Sequence, residues 1–289
     1  MRRSLKKSTL KERNIEINDY TISVDSIKES YSIAIIADLH ERDYYEILEA
    51  LCEISPDFIF LPGDTLERRE EGVQEHTKEE IDRWQNTSLF WKIICSVLKL
   101  IGLNRHNDEF AKSGNGMAFL GHASEIAPSV MSVGNHEWYF TKEDYRLFEN
   151  TGIIVLDNED TEIKTNLGDC FRVGGLSTRY DMEWLQKFSA KSGCKILLCH
   201  HPEYYQRMVR NSKMDSFDLV ISGHAHGGQL RLFGKGLFSP GQGFFPKYTK
   251  GLIKKHLISA GVSNTAFIPR IGNPREICLV RLKGYNDES

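Results

Sequence analysis

The sequence predicts an α/β fold, and two patterns carry that prediction. Short runs of isoleucine, valine, leucine and phenylalanine recur along the 289 residues, and each run ends in turn-forming or polar residues. Such runs are typical of strands that are buried on both faces of a sheet. Segments with a helical spacing of apolar residues lie between several of the runs. This alternation of strands and helices is typical of α/β proteins.

Five runs define the predicted strands in chain order. They are SIAIIA before Asp38, DFIFLP before Gly63, PSVMSV before Gly134, KILLC before His200 and DLVIS before Gly223. Helices are predicted between them at 44–54, 142–150 and 181–192. Ligands of open α/β sheets bind beyond the carboxyl ends of the strands. Because each of these five ends delivers Asp, Asn or His, we predict that the functional site lies there.

One segment interrupts the alternation. A highly charged stretch at 67–80 precedes apolar residues at roughly helical spacing over 78–101. We predict a helical insertion at about 66–122 within a main domain at 31–285, preceded by an N-terminal tail and lead-in strand at 1–30. The insertion either packs its apolar face on the domain or caps the site and contacts an apolar part of the substrate or a lipid surface.

Composition and charge restrict the class of protein. The formal charge of −3, from 37 basic and 40 acidic residues, gives no argument for nucleic-acid binding. The six cysteines form no CxxC pair, which is typical of reduced core residues. The basic N-terminus is not followed by the apolar segment of a secretory signal, and the apolar window 89–103 is too short and too charged to span a membrane. We therefore predict a cytoplasmic protein with a solvated basic tail. The alternative for the tail is a weak electrostatic contact with anionic lipid, which would place the protein peripherally at the membrane, or with nucleic acid.

The polar clusters contain enough ligands for two divalent cations. Two cations need about four ligands each, and one carboxylate can bridge them. Oxygen and imidazole ligands without thiolate suit Mn, Fe or Zn better than Ca or Mg. Glycines around GHAHGG allow the backbone to turn, so that two histidines one residue apart can converge on one site. The candidate metal ligands are Asp38, His40, Asp64, Asn135, His200, His224 and His226.

In this order the clusters resemble the calcineurin-like metallophosphoesterase superfamily. The family pattern is DxH, GD, GNH[DE], an isolated H and GHxH, and this chain has DLH, GD, GNHE, HHP and GHAH between residues 38 and 226. The stretch HGGQLRLFGKGLFSPGQGFFPKYTKGL is further similar to a bacterial branch of phosphodiesterases. The resemblance implies a four-layer αββα sandwich of two mixed β-sheets flanked by helices.

The resemblance also implies individual roles. Asp64 bridges the two metals, and His136 is the catalytic residue that contacts the phosphate and assists the leaving group. The implied ligands are Asp38, His40 and His226 for the first metal, and Asn135, His200 and His224 for the second. The family often has GDxxD where this chain has GDTLE. Since Asp64 is the ligand in that block, we expect little effect from Glu67 at its last position.

Several further side chains lie within or near the clusters in the sequence. Glu137 either supports the cluster through hydrogen bonds or caps a helix that starts nearby. His201 faces substrate or solvent. The weaker candidates for substrate binding are Arg42, His201, Arg231 and Lys235. For the two arginines and the lysine, an ordinary charged position on the surface is the alternative explanation.

The sequence therefore predicts hydrolysis of a phosphoric ester by metal-activated hydroxide, with two divalent ions, Mn, Fe or Zn, as cofactors. Branch resemblance favours phosphodiesters over monoesters. The expected partner is a small-molecule or lipid phosphoric ester and not a nucleic acid. One alternative is a pyrophosphohydrolase that acts on a lipid-linked or nucleotide-sugar substrate under an apolar cap. The other is a non-catalytic scaffold that uses the same fold to bind a partner.

Overall fold

The computed structural model describes residues 15–68, 114–239, 242–263 and 270–288. The predicted helix at 78–101 and the apolar window 89–103 lie outside these residues. The insertion at 66–122 therefore stays a prediction.

The first sheet holds three of the five predicted strands. Its order is β1 (Ile15–Ser23), β16 (Arg275–Lys283), β2 (Tyr31–Ile35), β3 (Phe58–Leu61), β4 (Ser129–Ser132) and β5 (Ile154–Leu156). Strands β2 to β5 are parallel, whereas β16 is antiparallel to β2. The carboxyl ends of β2, β3 and β4 therefore lie at one edge of a mixed sheet.

The second sheet holds the other two predicted strands. Its order is β14 (Gly251–Ile253), β15 (His256–Ile258), β9 (Leu219–Ser222), β8 (Cys194–Cys199), β7 (Cys170–Leu176) and β6 (Glu159–Lys164). The four central strands are parallel and both edge strands are antiparallel to them. Two small hairpins follow β9, formed by β10 (Arg231–Leu232) with β11 (Lys235–Gly236) and by β12 (Phe238–Ser239) with β13 (Gly243–Phe244).

The described helices connect these strands. They are α1 (Tyr45–Ile54), α2 (Asn115–Ile126), α3 (Lys142–Thr151), α4 (Met182–Ser189) and the short α5 (Pro202–Tyr204), which continues as a π-helical turn at Tyr205–Val209. Short 3₁₀ turns occur at His226–Gly228 and Tyr285–Glu288. The three helices predicted from the sequence are present. The third spans Met182–Ser189, with Asp181 at its N-cap and Ala190 at its C-cap, and so is shorter than predicted. No helix in the described ranges is both long enough and apolar enough to cross a membrane.

Three separate apolar cores divide the molecule into four layers. Along β2, Ile33 and Ile35 face the core between the two sheets, whereas Ala34 faces the core between the first sheet and its helices. This alternation follows from the period of two residues in a strand. The core between the first sheet and its helices includes side chains of α1, α2 and α3. The core between the second sheet and its helices includes side chains of α4 and the π turn. The predicted αββα sandwich of two mixed sheets is confirmed.

Candidate metal centre

Loops at the ends of the buried strands form the site, and several of their residues have unusual backbone angles. Asp38, His40 and Asp64 have φ values of 56°, 52° and 57°. Residues other than glycine seldom adopt this left-handed conformation, and such strain often marks functional sites. Backbone hydrogen bonds hold the first two loops together, from His40 N to Asp64 O at 2.9 Å and from Asp38 N to Gly63 O at 3.3 Å. His224 and His226 have φ values of 64° and 43°.

The Asp64 carboxylate lies at the centre of the site. Its Oδ2 atom is 3.1 Å from His200 Nε2, 3.6 Å from His40 Nε2 and 3.8 Å from His136 Nε2. Its Oδ1 atom accepts a hydrogen bond from the backbone N–H of His136 at 2.8 Å. Three imidazoles from three different loops thus face a single carboxylate oxygen. Asp64 therefore occupies the position that a bridging ligand would require.

The seven predicted ligand positions converge in two groups. Ligand atoms of Asp38, His40 and His226 lie within 4.8 Å of one another, and so do those of Asp64, His200 and His224. The Oδ1 atom of Asn135 is 3.1 Å from His200 Nε2 and so belongs to the second group. The groups contain the same residues that the family resemblance assigns to the two metals.

Two buried atoms indicate that the donors fit a cation. Asp38 Oδ2 and His40 Nε2 are buried and make no hydrogen bond with the described residues. A buried polar group without a partner costs about 1–3 kcal/mol, more when it is charged. A cation between these atoms would remove that cost. Carboxylate oxygen, amide oxygen and imidazole nitrogen are a donor set that suits Mn, Fe or Zn.

Burial and neighbouring charges set the protonation states required for metal binding. Burial lowers the pKa of the His226 imidazole to about 4. Burial, together with the nearby His201 and His200, also holds the pKa of His224 well below its ordinary value. Burial alone would raise the pKa of Asp64, but the adjacent His200 and His136 hold it well below the ordinary value. Metals bind neutral imidazole and ionised carboxylate, which are the forms favoured at His226, His224 and Asp64. Burial alone would lower the pKa of His200, but the Asp64 carboxylate raises it to about 9, so a cation bound there would displace a proton.

Glu67 has a larger role than the sequence indicated. Its carboxylate lies 2.8 Å from Nδ1 of His40 and 2.8 Å from Nδ1 of His136. Burial alone would raise the pKa of Glu67, but hydrogen bonds from both histidines lower it well below the ordinary value. An ionised Glu67 that accepts both Nδ1–H groups directs the Nε2 atoms of the two rings towards Asp64. Since the two histidines lie on different loops, sequence spacing could not show this arrangement.

Glu137 supports the loops and caps none of the helices in the described residues. Its carboxylate accepts backbone N–H groups from Asp64 at 3.0 Å, Thr65 at 2.7 Å, Leu66 at 2.9 Å and Gly134 at 2.8 Å. The next helix, α3, is capped by the hydroxyl of Thr141. The capping alternative for Glu137 is therefore wrong. Burial and the charge of Asp64 raise the pKa of Glu137 to about 7, against the opposing effect of the N–H donors.

The weaker candidates divide between the site and the hairpin beside it. The His201 ring lies 4.2 Å from that of His224, and its Nε2 is 3.1 Å from Thr178 Oγ1. Arg42 is buried two residues beyond His40. Arg231 donates to the carbonyls of Gly227 and Gly234 and thereby holds the hairpin turn. Lys235 is exposed on β11. A phosphate contact for any of these four stays a prediction.

An aromatic surface that the sequence analysis missed follows the GNHE block. Trp138 and Tyr139 are partly exposed, and the Arg179 guanidinium lies 5.1 Å and 5.7 Å from their ring centroids. Arg179 also donates to the carbonyl of Trp138. We call Trp138, Tyr139 and Arg179 the aromatic wall. The WY pair directly after His136 and Glu137 was the signal available in the sequence.

Comparisons with known proteins agree with this geometry. Residues 31–228 match the family model described as calcineurin-like phosphoesterase. The protein YpbG of Bacillus subtilis (strain 168) is 32% identical over 164 residues, 54% of this chain and 59% of its own length. The uncharacterized metallophosphoesterase YkoQ of the same organism is 30% identical over 156 residues, 50% of this chain and 56% of its own length.

A more distant relative covers most of the chain. An uncharacterized metallophosphoesterase of Campylobacter jejuni subsp. jejuni is 22% identical over 282 residues, 93% of this chain and 63% of its own length. The chain thus spans less than two thirds of the length of each of these three relatives.

Proposed function

The chain belongs to the calcineurin-like phosphoesterase family, and on that premise we propose that it hydrolyses phosphoric esters, preferentially phosphodiesters, at the centre around Asp64. The observation that carries the proposal is the convergence of three imidazoles on one buried carboxylate oxygen, at 3.1, 3.6 and 3.8 Å. These side chains come from three loops of two sheets. Packing alone gives no reason for so many metal-binding groups to meet there.

Two divalent cations are the cofactors that this donor set would hold. Asp38, His40 and His226 would hold one cation, and Asp64 would lie between the two. The remaining ligands of the second cation would be Asn135, His200 and His224. When bound, the cations would supply Lewis-acid chemistry, lowering the pKa of water and neutralising charge on the phosphoryl group.

His136 is the group of the chain best placed to move a proton. Its Nδ1 lies 2.8 Å from Glu67, and its Nε2 faces the Asp64 carboxylate at 3.8 Å. The ionised Glu67 stabilises the positively charged form of the ring, which carries a proton on Nε2. That proton can pass to the oxygen of the departing group, so His136 acts as a general acid.

The aromatic wall supports a preference for diesters. A diester carries an organic group on each side of phosphorus, whereas a monoester carries only one. The wall begins two residues after His136, and its two partly exposed rings with the guanidinium over them would contact the group that is not leaving. A monoester whose single organic group is the leaving group would gain less from it.

The first test compares turnover of bis-p-nitrophenyl phosphate with that of p-nitrophenyl phosphate in the presence of manganese. We expect the diester to be hydrolysed faster, and His136→Ala to lower its kcat by roughly 10²–10⁴-fold, the contribution of a general acid. His122→Ala is the matched control, because His122 is an exposed histidine of α2 with a side chain that is 52% exposed.

Two results would contradict the proposal. Preferential turnover of the monoester would refute the diester preference. If protein shown by elemental analysis to carry two metals hydrolysed neither ester, the proposed catalytic role would be wrong and a binding role would replace it.

A further inference from the structure

Two hairpins beside the metal centre present large apolar side chains to solvent. Leu232, Phe233, Phe244 and Phe245 are 55%, 94%, 73% and 81% exposed. Single exposed apolar residues are normal on protein surfaces, but a group of them marks an interaction site. Leu232 lies on β10 and Phe233 in the turn after it, whereas Phe244 lies on β13 and Phe245 follows it directly. We call these four residues the hairpin tips.

Backbone hydrogen bonds join the hairpins into one unit. Leu237 N donates to Leu230 O at 2.8 Å, and Phe245 N donates to Leu237 O at 2.9 Å. The rings of Phe238 and Phe244 lie 5.6 Å apart across the second hairpin. The hairpin tips therefore belong to one hydrogen-bonded unit of the chain.

Folding does not explain the phenylalanines at the two most exposed positions. Phe233 and Phe245 have φ values of 50° and 53°, in the left-handed region that a bulky residue seldom adopts. Asparagine or glycine would fit this backbone with less strain. Neither ring is buried, so neither offsets its strain by packing. A requirement outside the fold itself therefore accounts for these two residues.

The charge of the same stretch indicates the partner. No Asp or Glu occurs between Asp218 and Glu276, whereas eight Lys and Arg do, in a chain with more acidic than basic residues. Lys235 and Lys247 are exposed, each two residues from a phenylalanine of the hairpin tips, and neither forms an ion pair within the described part of the chain. Exposed aromatic rings flanked by lysines are the chemistry of proteins that bind anionic lipid surfaces.

We propose that the hairpin tips dock on an anionic lipid bilayer. The apolar side chains enter the boundary between headgroups and acyl chains, while Lys235 and Lys247 contact the headgroup phosphates. A second copy of the chain fits less well, because a symmetric dimer would bring the like charges of Lys235 and Lys247 of the two copies together. The proposal does not depend on the hydrolytic activity.

Docking would also fix the height of the metal centre above the membrane. A side chain at Gly228 would place its Cβ 2.6 Å from the Cα of Gly236, so the first hairpin packs tightly on the turn that carries His226. Leu237 N donates to Gly228 O at 3.3 Å, which ties the base of the hairpins to the same turn.

The test measures binding of the full chain to vesicles by flotation. Vesicles of phosphatidylcholine with phosphatidylglycerol are compared with vesicles of phosphatidylcholine alone. We expect binding to the anionic vesicles, and a loss of roughly tenfold for each phenylalanine removed in Phe233→Asn and Phe245→Asn. Asparagine is chosen because it tolerates the left-handed backbone, so unfolding does not explain the loss. Lys235→Gln with Lys247→Gln should weaken binding to anionic vesicles only.

The matched control removes two exposed apolar side chains elsewhere. Leu167→Asn with Tyr285→Asn, at positions 63% and 50% exposed, should leave vesicle binding unchanged. Absence of binding to anionic vesicles would overturn the proposal. So would binding that survives in the phenylalanine variants but disappears at about 0.5 M salt, since charge alone, such as that of the basic residues in 1–14, would then explain it. Self-association that depends on Phe233 and Phe245 without vesicle binding would assign the surface to a second copy.

Discussion

Replacement of Glu67 by glutamine tests whether one carboxylate serves both His40, the proposed metal ligand, and His136, the proposed catalytic residue. The change keeps the size of the side chain and removes its charge. In the structure the carboxylate accepts from Nδ1 of both rings at 2.8 Å. Each hydrogen bond to a charged group contributes about 1.5–3 kcal/mol. Since an amide offers one acceptor oxygen and an NH₂ group in place of two acceptor oxygens, it cannot satisfy both rings in the same way.

We expect Glu67→Gln to lower both metal affinity and kcat by roughly 10–100-fold, the usual effect of losing a group that orients metal ligands. Metal affinity is measured by titration of metal-free protein with manganese, and kcat is measured on bis-p-nitrophenyl phosphate at saturating metal. Glu67→Asp keeps the charge but shortens the side chain, so we expect its effect to be smaller. Glu143→Gln, on an exposed position of α3, is the matched control.

A double variant separates the two contacts of Glu67. In the His136→Ala background, Glu67→Gln should cause little further loss of kcat, because the ring that it orients is absent. The loss of metal affinity should persist, because it acts through His40. If Glu67→Gln kept the metal affinity and kcat of the parent protein, the reasoning from these hydrogen bonds would be refuted.

Two further substitutions test the packing of the centre and its aromatic wall. A Cβ at Gly134 would lie 2.2 Å from Asp64 Oδ1, so Gly134→Ala should displace the carboxylate and weaken manganese binding by at least about tenfold. Gly121→Ala on α2, where the nearest atom is 3.5 Å from the added carbon, should leave binding unchanged in the same titration. Arg179→Ala removes the cation over Trp138 and should raise KM for the diester by about twofold to fivefold. Steady-state kinetics on both esters should show no such change for the monoester, and an equal change would contradict the assigned role of the wall.

The sequence predicted the strand ends well because the relevant information is local. Asp38, Asp64 and Asn135 each follow a buried run directly or within two residues. The carboxyl ends of parallel strands share one edge of a sheet, so side chains at those ends must come close together. Neither step requires knowledge of how the loops pack. The alternation of burial along β2 likewise follows from strand geometry alone.

The contacts between loops could not be predicted in the same way. Glu137 accepts N–H groups of residues that lie 71 to 73 positions earlier in the chain. A glutamate at this position is compatible with a helix cap or with support of a loop. Only the position of the loop that carries Asp64 decides between the two roles. Glu67 was likewise assessed by comparison with a family pattern, whereas its partners depend on the relative positions of three loops.

Glu137 stabilises the loop that carries one of the left-handed residues, Asp64. That backbone conformation costs a residue with a side chain roughly 1–2 kcal/mol. The Glu137 carboxyl accepts N–H groups from Asp64, Thr65, Leu66 and Gly134, and a typical hydrogen bond contributes about 0.5–1.5 kcal/mol. The four bonds together contribute at least as much as the strain at Asp64 costs, so one carboxyl group can offset it. Glu137 therefore helps to hold Asp64 in the position that the proposed metal centre requires.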